Sequence, residues 1–192
     1  MFKDLVKKSR SFRAYDPERR ISREELLELV DTVRYAPSSG NMQPLCYYLA
    51  SEKEQMDKIL PLLHWAALLP ERHLPDPGKE PVAVVVICCS TERVHDIRFA
   101  IRDVGVVAQT MILAAAEKDL GGIMIGNYDA KKLAEVLELP ECQKPQLVVA
   151  FGKPAETIVL EDVDDGESVK YYRDENDVHH VPKRKLEDII IN

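Results

Sequence analysis

Residues 34–44 read Arg34-Tyr-Ala-Pro-Ser-Ser-Gly-Asn-Met-Gln-Pro44 and close a helical pattern with a polar, turn-forming run. Pro37 lacks a backbone donor, and serine, glycine and asparagine favour turns, so the preceding helix has to end here. A loop of this composition leaves N–H groups and short polar side chains outside regular structure, where they can bind a planar polar ligand. A helix stop followed by a surface turn would explain the same residues. Other stretches of the chain have to decide between the two interpretations.

The elements on either side of this loop follow from their sequence patterns. Ser22 and Glu25 have the spacing of a capping box, and apolar residues at helical spacing come after them. This pattern predicts a helix over residues 23–36. Residues 45–50 are rich in β-forming side chains and predict a strand. The polar loop is therefore expected to connect a helix to a strand.

Two long apolar stretches further along the chain are expected to form the core. Residues 81–89 lack alternation, which is typical of a central strand covered on both faces. Residues 92–118 form the longest helical pattern, and residues 104–116 are apolar almost all round, which predicts burial in the core or in an interface. The proline-rich connection at residues 64–80 is typical of a lid or a pocket wall. The remaining predictions are a helix over 52–63, a strand over 123–127, a helix over 130–138 and a strand over 146–152.

Length and charge limit the class of protein. Residues 1–192 are expected to form one domain, with a C-terminal tail from about residue 153 that packs on the core or on a partner subunit. The net charge of -7 argues against nucleic acid or an anionic membrane as the partner. The first residues are too charged for a signal peptide, and no run approaches the roughly 20 apolar residues of a membrane span. The sequence therefore predicts a cytoplasmic protein.

Two basic clusters suggest an anion site in this acidic chain. Arg10-Ser-Phe-Arg13 offers two guanidinium groups and a hydroxyl, which suit a phosphate or a carboxylate. Residues 153–192 contain 11 acidic and 6 basic residues, and Lys183-Arg-Lys185 is a concentrated basic exception. We expect this basic run to contact the anion that the domain binds.

A metal site is not expected. The four cysteines form no C-x-x-C pair, and Cys88 with Cys89 ends a buried strand, where thiols act as small hydrophobes. A redox pair at these two positions is the alternative interpretation. His179 and His180 are adjacent, and on an extended chain they would point to opposite faces instead of sharing one metal ion.

Four stretches together resemble the nitroreductase family of FMN-dependent oxidoreductases in their order and spacing. They are Arg10-Ser-Phe-Arg13-Ala-Tyr15, Ala36-Pro-Ser-Ser-Gly-Asn-Met-Gln-Pro44, residues 103–116 with Gly121-Gly-Ile-Met-Ile-Gly126 behind them, and Phe151-Gly-Lys-Pro154. The resemblance covers nearly the whole chain. It implies an α+β fold of the nitroreductase type, with a mostly antiparallel central sheet wrapped by helices. It also implies an intertwined homodimer with FMN at the subunit interface.

The resemblance further implies which residues contact FMN. The N-terminal cluster would hold the phosphate, the ribityl chain and the pyrimidine edge, and the C-terminal basic run would complete the phosphate site. The polar loop would reach the flavin from the partner subunit, and the turn after residue 125 would place N–H groups near the flavin N5. The implied residues are Arg10, Ser11, Arg13, Pro37, Ser38, Ser39, Asn41, Gln43, Ile125, Gly126, Lys183 and Arg184. No catalytic side chain is implied, because the flavin carries the chemistry.

The implied activity is ping-pong hydride transfer from NADH or NADPH, through FMN, to a nitroaromatic, a quinone or a related small-molecule acceptor. A flavin-binding carrier or regulatory module with little turnover would use the same residues, and the sequence leaves this alternative open. It also leaves open the physiological acceptor, the choice between NADH and NADPH, and the protomer that supplies each FMN contact.

Overall fold

The structure is a computed structural model that describes residues 1–66 and 72–192. The predicted lid over residues 64–80 includes residues 67–71, which lie outside the described residues. The helices are α1 (Phe2–Lys8), α2 (Arg23–Val33), α3 (Lys53–Ile59), α4 (Ile101–Glu117) and α5 (Ala130–Val136). The strands are β1 (Tyr15–Asp16), β2 (Leu45–Ala50), β3 (Ala83–Ser90), β4 (Gly121–Ile125), β5 (Gln143–Pro154), β6 (Ile158–Val163), β7 (Tyr172–Arg173) and β8 (His179–Arg184). Short 3-10 helices cover Ser39–Asn41, Leu60–Leu62, Ile97–Ala100 and Glu187–Ile189.

The main sheet is organised around β5. Its strand order is β1-β5-β3-β2, and β4 also pairs with β5. All of these pairs are antiparallel. The predicted α+β architecture with a mostly antiparallel sheet is therefore confirmed.

Each face of this sheet is covered by helices and has its own core. On one face, α2 and α4 contribute Leu26, Leu29 and Met111. On the other face, Met56 and Leu133 from α3 and α5 pack against alternate residues of the same strands. Every residue of β3 is buried, as the apolar run at 81–89 predicts for a strand covered on both sides.

Several predicted elements have different bounds in the structure. The helix predicted over 92–118 begins only at Ile101, because residues 91–96 form a turn in which Thr91 N donates to Cys142 O at 2.8 Å. The helix predicted over 23–36 ends at Val33. The strand predicted at 123–127 lies at Gly121–Ile125, and the strand predicted at 146–152 extends over Gln143–Pro154.

The helical stretch Ile97–Glu117 is long and apolar enough to cross a membrane by length and composition alone. Half of the residues in its apolar window are buried, and the helix packs against α2, β4 and β5. We therefore assign it to the core of the fold. Its other side leaves Phe99, Ile101 and Val106 exposed.

The C-terminal region, which the sequence analysis treats as an acidic tail, contains a second sheet of order β6-β8-β7. β6 and β8 are parallel, and their register places acidic residues beside the basic run. Arg184 Nη1 lies 2.7 Å from Asp165 Oδ1, and Lys185 forms an ion pair with Asp164. The tail is thus folded, because its basic and acidic segments pair with each other.

The two histidines of β8 lie on opposite faces, as expected for an extended chain. His179 is buried, whereas His180 lies between the carboxylates of Glu161 and Asp174. Hydrogen bonds to Glu161 and then to Asp174 raise the pKa of His180. Within residues 1–66 and 72–192, no group of three or more histidine, cysteine or acidic side chains is arranged to hold a metal ion.

Gly152 of β5 allows the N-terminal segment to approach the sheet. A methyl group at this position would lie 2.6 Å from Cδ1 of Tyr15, whose side chain is fully buried. We expect Gly152→Ala to lower the free energy of unfolding by about 1–3 kcal/mol in urea titrations, because the core is overpacked there. In a Tyr15→Gly background, which removes all three Tyr15 atoms that the new methyl group would meet, the same change should cost much less. An equal loss in both backgrounds would contradict this explanation.

Candidate functional site

The polar loop at residues 37–43 is folded around a buried carboxylate, that of Asp103 in the first turn of α4. Ser38 Oγ donates to Asp103 Oδ2 at 2.6 Å, and Ser39 Oγ donates to Oδ1 at 2.7 Å. The Ser39 backbone N–H donates to the same carboxylate at 3.0 Å. Ser38 Oγ also accepts from Gln43 N at 3.0 Å, so both ends of the loop are tied through Ser38 to Asp103.

Asp103 stays ionised because of these hydrogen bonds. The residue is only 4% exposed. Burial by itself raises the pKa of Asp103, but the hydrogen bonds from Ser38 and Ser39 outweigh burial and hold the pKa below its ordinary value. The serine hydroxyls, predicted as flavin contacts, therefore use their protons to fix the loop.

The loop backbone adopts left-handed conformations at three positions. Gly40, Asn41 and Gln43 have φ angles of 57°, 55° and 49°. Glycine and asparagine tolerate this region, but glutamine rarely adopts it. The Asp103 hydrogen bonds offset the strain, and such strain is concentrated at binding sites in proteins.

A cavity of about 220 Å³ opens beside the loop. Pro37, Ser38 and Gln43 form part of its wall, and Leu45 with Tyr47 from β2 adds apolar surface. Two further lining residues, Arg34 and Arg93, bring positive charge. The cavity thus combines a flat apolar wall with a polar, cationic edge, which suits a planar ligand with an electron-rich rim.

Arg93 was not identified from the sequence. Its Nη1 lies 3.4 Å from Gln43 O and 3.5 Å from Leu45 O, so it connects the turn after β3 to the polar loop. The signal in the sequence is weak, because an isolated arginine in a surface turn is usually solvated. Only the pairing of β2 with β3 brings residue 93 to the loop.

The N-terminal cluster lies along β4. Ser11 forms a parallel bridge with Gly122, and Phe12 N donates to Gly122 O at 3.3 Å. Arg10 is held at the end of α1, where its Nη2 donates to Val6 O at 2.7 Å. Arg10 Nε is buried and has no hydrogen-bond partner among the described residues, and burial lowers the pKa of this guanidinium. This orphaned donor is directly suited to an anionic ligand.

Arg13 belongs to a different, buried polar cluster at the junction with the second sheet. Its guanidinium lies 4.9 Å from the centre of the Tyr171 ring, and its Nη1 is 3.5 Å from His179 Nε2. Glu156 accepts hydrogen bonds from the Arg13 backbone N–H and from Arg173. Burial, with the positive charges of Arg13 and Arg173, lowers the pKa of His179 to about 4, so the imidazole is neutral at neutral pH. Arg13 therefore joins the two sheets.

The other predicted residues lie at the ends of strands. Ile125 ends β4 with its side chain buried in the core, and the next residue, Gly126, has open space where a Cβ would be. Lys183 and Arg184 end β8 and are exposed, and Arg184 pairs with Asp165. Among the residues that the structure describes, no hydrogen bond connects this basic pair to Arg10 or Ser11. One chain thus brings the polar loop, α4 and Arg93 together, and holds the N-terminal cluster and the basic pair elsewhere.

Comparison with known proteins relates this chain to one family of oxidoreductases. The Nitroreductase family model matches residues 6–153. A protein of Methanothermobacter thermautotrophicus with the provisional name NADH dehydrogenase/NAD(P)H nitroreductase is 25% identical over 170 residues, which cover 86% of this chain and 84% of the relative. The FMN reductase [NAD(P)H] of Bacillus subtilis is 27% identical over 168 residues, which cover 77% of this chain and 63% of that enzyme.

A solved structure shares the same fold. A protein of Exiguobacterium sibiricum, determined in complex with FMN, superposes with a TM-score of 0.67 at 20% identity, covering 81% of this chain and 89% of that chain. The sheet built on β5, the loop tied to Asp103 and the family match over most of the length lead to one assignment. The chain belongs to the nitroreductase family.

Proposed function

We propose that this protein is an FMN-dependent NAD(P)H oxidoreductase, which reduces a nitroaromatic, a quinone or a related small-molecule acceptor by a ping-pong reaction. The names of its relatives support both the cofactor and the hydride donor. FMN, when bound, accepts hydride from the nicotinamide and passes electrons to the acceptor. The protein supplies binding, orientation and a cationic environment. We place this activity in the cytoplasm and propose that residues 1–192 act as one domain.

The observation that carries the proposal is the orphaned Nε of Arg10. A buried guanidinium N–H without a partner needs an explanation, and a phosphate oxygen would satisfy it with a charge-assisted bond. Ser11 and Arg13 follow on the same segment, and Arg13 Nε is likewise buried without a partner among the described residues, but the Arg13 guanidinium already packs against Tyr171 and His179. Arg10 is therefore the residue we assign most directly to the phosphate, with Ser11 beside it.

The cavity beside the polar loop is suited to the ring of the cofactor. Its walls are formed by Pro37, Gln43 and Leu45, and the charges of Arg34 and Arg93 would stabilise an electron-rich edge. Gly126 is exposed, with open space where a Cβ would be, and we propose that the flavin approaches the backbone there. We keep Asn41, Lys183 and Arg184 as proposed contacts on the family pattern.

One chain supplies only part of such a site. The cavity of about 220 Å³ is smaller than the roughly 300–1,000 Å³ typical of cofactor pockets. Phe99, in the 3-10 helix before α4, and Ile101, the first residue of α4, are each about 60% exposed, and Tyr35 is 70% exposed after α2. Single exposed apolar side chains are common, whereas a contiguous exposed apolar patch marks an interface. We therefore propose a homodimer in which a second copy completes the FMN site.

The phosphate assignment can be tested with Arg10→Ala. Titrating FMN into the flavin-free protein should show a dissociation constant raised by roughly 10–150-fold, since a charge-assisted contact contributes about 1.5–3 kcal/mol. Arg19→Ala is the matched control, because Arg19 pairs with Glu25 at the surface and should leave the dissociation constant unchanged. Equal affinities of the wild type and Arg10→Ala would refute the role of Arg10.

A carrier module and an enzyme differ in their response to nicotinamide. Under anaerobic conditions, NADH or NADPH should bleach the flavin absorbance of the wild type within the turnover time, and the acceptor should restore it. A protein that binds FMN but is bleached by neither donor would be a flavin carrier. A protein that retains no flavin after incubation with excess FMN and removal of the free FMN would overturn both interpretations.

A further inference from the structure

Cys46 and Cys88 face each other across two neighbouring strands. They are direct partners in the antiparallel register of β2 and β3. Both side chains belong to the same face of the sheet, where Cys88 is a core residue and Cys46 packs at the edge of that core. Cys46 Sγ lies 3.7 Å from Cys88 O. Direct antiparallel partners have Cα atoms about 4.5–5.5 Å apart, which falls within the roughly 4.4–6.8 Å that a disulfide bridges.

The two thiols differ in accessibility. Cys46 is half-buried on β2, which is at the edge of the sheet, whereas Cys88 is only 1% exposed. The neighbouring Cys88 thiol and, to a smaller extent, the charge of Arg93 lower the pKa of Cys46 to about 7. Because the thiolate is the nucleophile, a large fraction of Cys46 is reactive at neutral pH.

We propose that Cys46 is a peroxide-reactive thiol and that Cys88 resolves its oxidised form as a cross-strand disulfide. The oxidant is a hydroperoxide, with hydrogen peroxide as the simplest member of this class. The two thiols lie on the face of the sheet opposite to the proposed flavin cavity, because Leu45 and Tyr47, which line that cavity, belong to the other core.

The first step consumes the peroxide. The Cys46 thiolate attacks one peroxide oxygen, an S–O bond forms, the O–O bond breaks, and the departing hydroxide takes a proton to become water. In the second step the Cys88 thiol attacks the sulfur of the Cys46 sulfenic acid. An S–S bond forms, the S–O bond breaks, and the departing hydroxide takes the Cys88 proton to become a second water. Two thiols lose two electrons and reduce one peroxide.

The resolving step becomes easier once Cys46 has reacted. In the reduced protein, the hydrogen bond with Cys46, burial of the Cys88 side chain and the negative charge of Cys46 all raise the pKa of Cys88. A neutral sulfenic acid at Cys46 removes that negative charge. The order of events is therefore fixed, with attack by the half-buried Cys46 thiolate first and closure by the buried Cys88 thiol second.

Cys89 and Cys142 serve as internal controls. Cys89 is the register partner of Leu45 and packs in a separate cluster, so its thiol cannot reach Cys46. Cys142 is half-buried and lies in the turn before β5. Trypsin separates the relevant peptides, because residues 35–53 contain Cys46 and residues 80–93 contain both Cys88 and Cys89.

The test treats the whole protein with hydrogen peroxide, blocks free thiols under denaturing conditions and maps the peptides by mass spectrometry. We expect one cross-linked species, lighter by two hydrogens, that joins residues 35–53 to residues 80–93. Cys89→Ala and Cys142→Ala should retain this cross-link. Cys46→Ser and Cys88→Ala should each lose it, and Cys88→Ala should accumulate a Cys46 sulfenic acid that dimedone traps.

Two results would overturn the proposal. One is a cross-link that persists in Cys88→Ala or Cys46→Ser, which would place the disulfide elsewhere. The other is peroxide or iodoacetamide labelling of Cys46 that is no faster than that of Cys142 at neutral pH. If Cys88→Ala fails to fold, loss of the cross-link in Cys46→Ser together with its retention in Cys89→Ala decides the question.

Discussion

Replacing Glu156 with alanine is expected to lower the free energy of unfolding by about 3–5 kcal/mol, because it leaves a buried guanidinium without its carboxylate. The side chains of Glu156 and Arg173 are only 3% and 6% exposed. Glu156 also accepts hydrogen bonds from the backbone N–H groups of Arg13 and Ala14. One carboxylate thus holds the N-terminal segment against the second sheet.

Urea titration at a fixed protein concentration measures this loss. Asp177, which also pairs with Arg173 at 3.1 Å, is 46% exposed and cannot replace a buried partner. The double variant Glu156→Leu with Arg173→Met should recover part of the stability, because no unpaired charge remains, although the N–H groups of Arg13 and Ala14 still lack their acceptor. A loss below about 1 kcal/mol in Glu156→Ala, a value typical of exposed ion pairs, would show that this pair is solvated.

Asp103→Ala is expected to lower the unfolding free energy by roughly 3 kcal/mol, since hydrogen bonds to a charged acceptor contribute about 1.5–3 kcal/mol each and are not fully additive. The two hydroxyls and one N–H that point at this carboxylate would lose their acceptor. The strained loop at residues 37–43 would then relax, and the cavity wall would move with it. On the proposed function, the dissociation constant for FMN should also rise by about tenfold or more.

The matched control is Asp96→Ala. Asp96 caps the 3-10 helix that precedes α4 and accepts from Arg98 N at 2.9 Å, and among the described residues no hydrogen bond joins it to the polar loop. Its loss should cost about 1 kcal/mol, as for other N-caps, and leave FMN affinity unchanged. If Asp103→Ala binds FMN as tightly as Asp96→Ala does, the loop does not depend on Asp103 for its shape.

The parts of the fold that local patterns specify were predictable. The capping box is present, with Glu25 N donating to Ser22 Oγ at 3.2 Å and Ser22 N donating to Glu25 at 3.0 Å. The apolar run before Cys88 is a fully buried strand. In both cases the pattern that predicts the element lies in residues that are adjacent or one helical turn apart.

The sequence analysis misses structural features that depend on contacts between residues far apart in the chain. The strand predicted to begin at residue 123 begins at Gly121, where a Cβ would collide with the ring of Phe12, so the close approach of the N-terminal segment requires glycine there. The acidic composition after residue 153 gives no local indication of the second sheet, because its strands β6 and β8 form only by pairing with each other in parallel. Asp103 is a single acidic residue in a mostly apolar helix. Nothing in the neighbouring sequence indicates that it accepts hydrogen bonds from Ser38 and Ser39, which lie 65 and 64 residues earlier.

The pairing of β5 with β1, β3 and β4 has a consequence for synthesis on the ribosome. β5 ends at residue 154, so the sheet lacks its central strand until synthesis has passed that residue. At about 5–20 residues per second, β3 waits roughly 3–13 s for this partner. During that time β3, a strand of buried residues, has one edge without its partner strand. We expect newly made chains to depend on a chaperone in this interval, and truncations that end before Gln143 to aggregate even though they retain α2, α4 and β3.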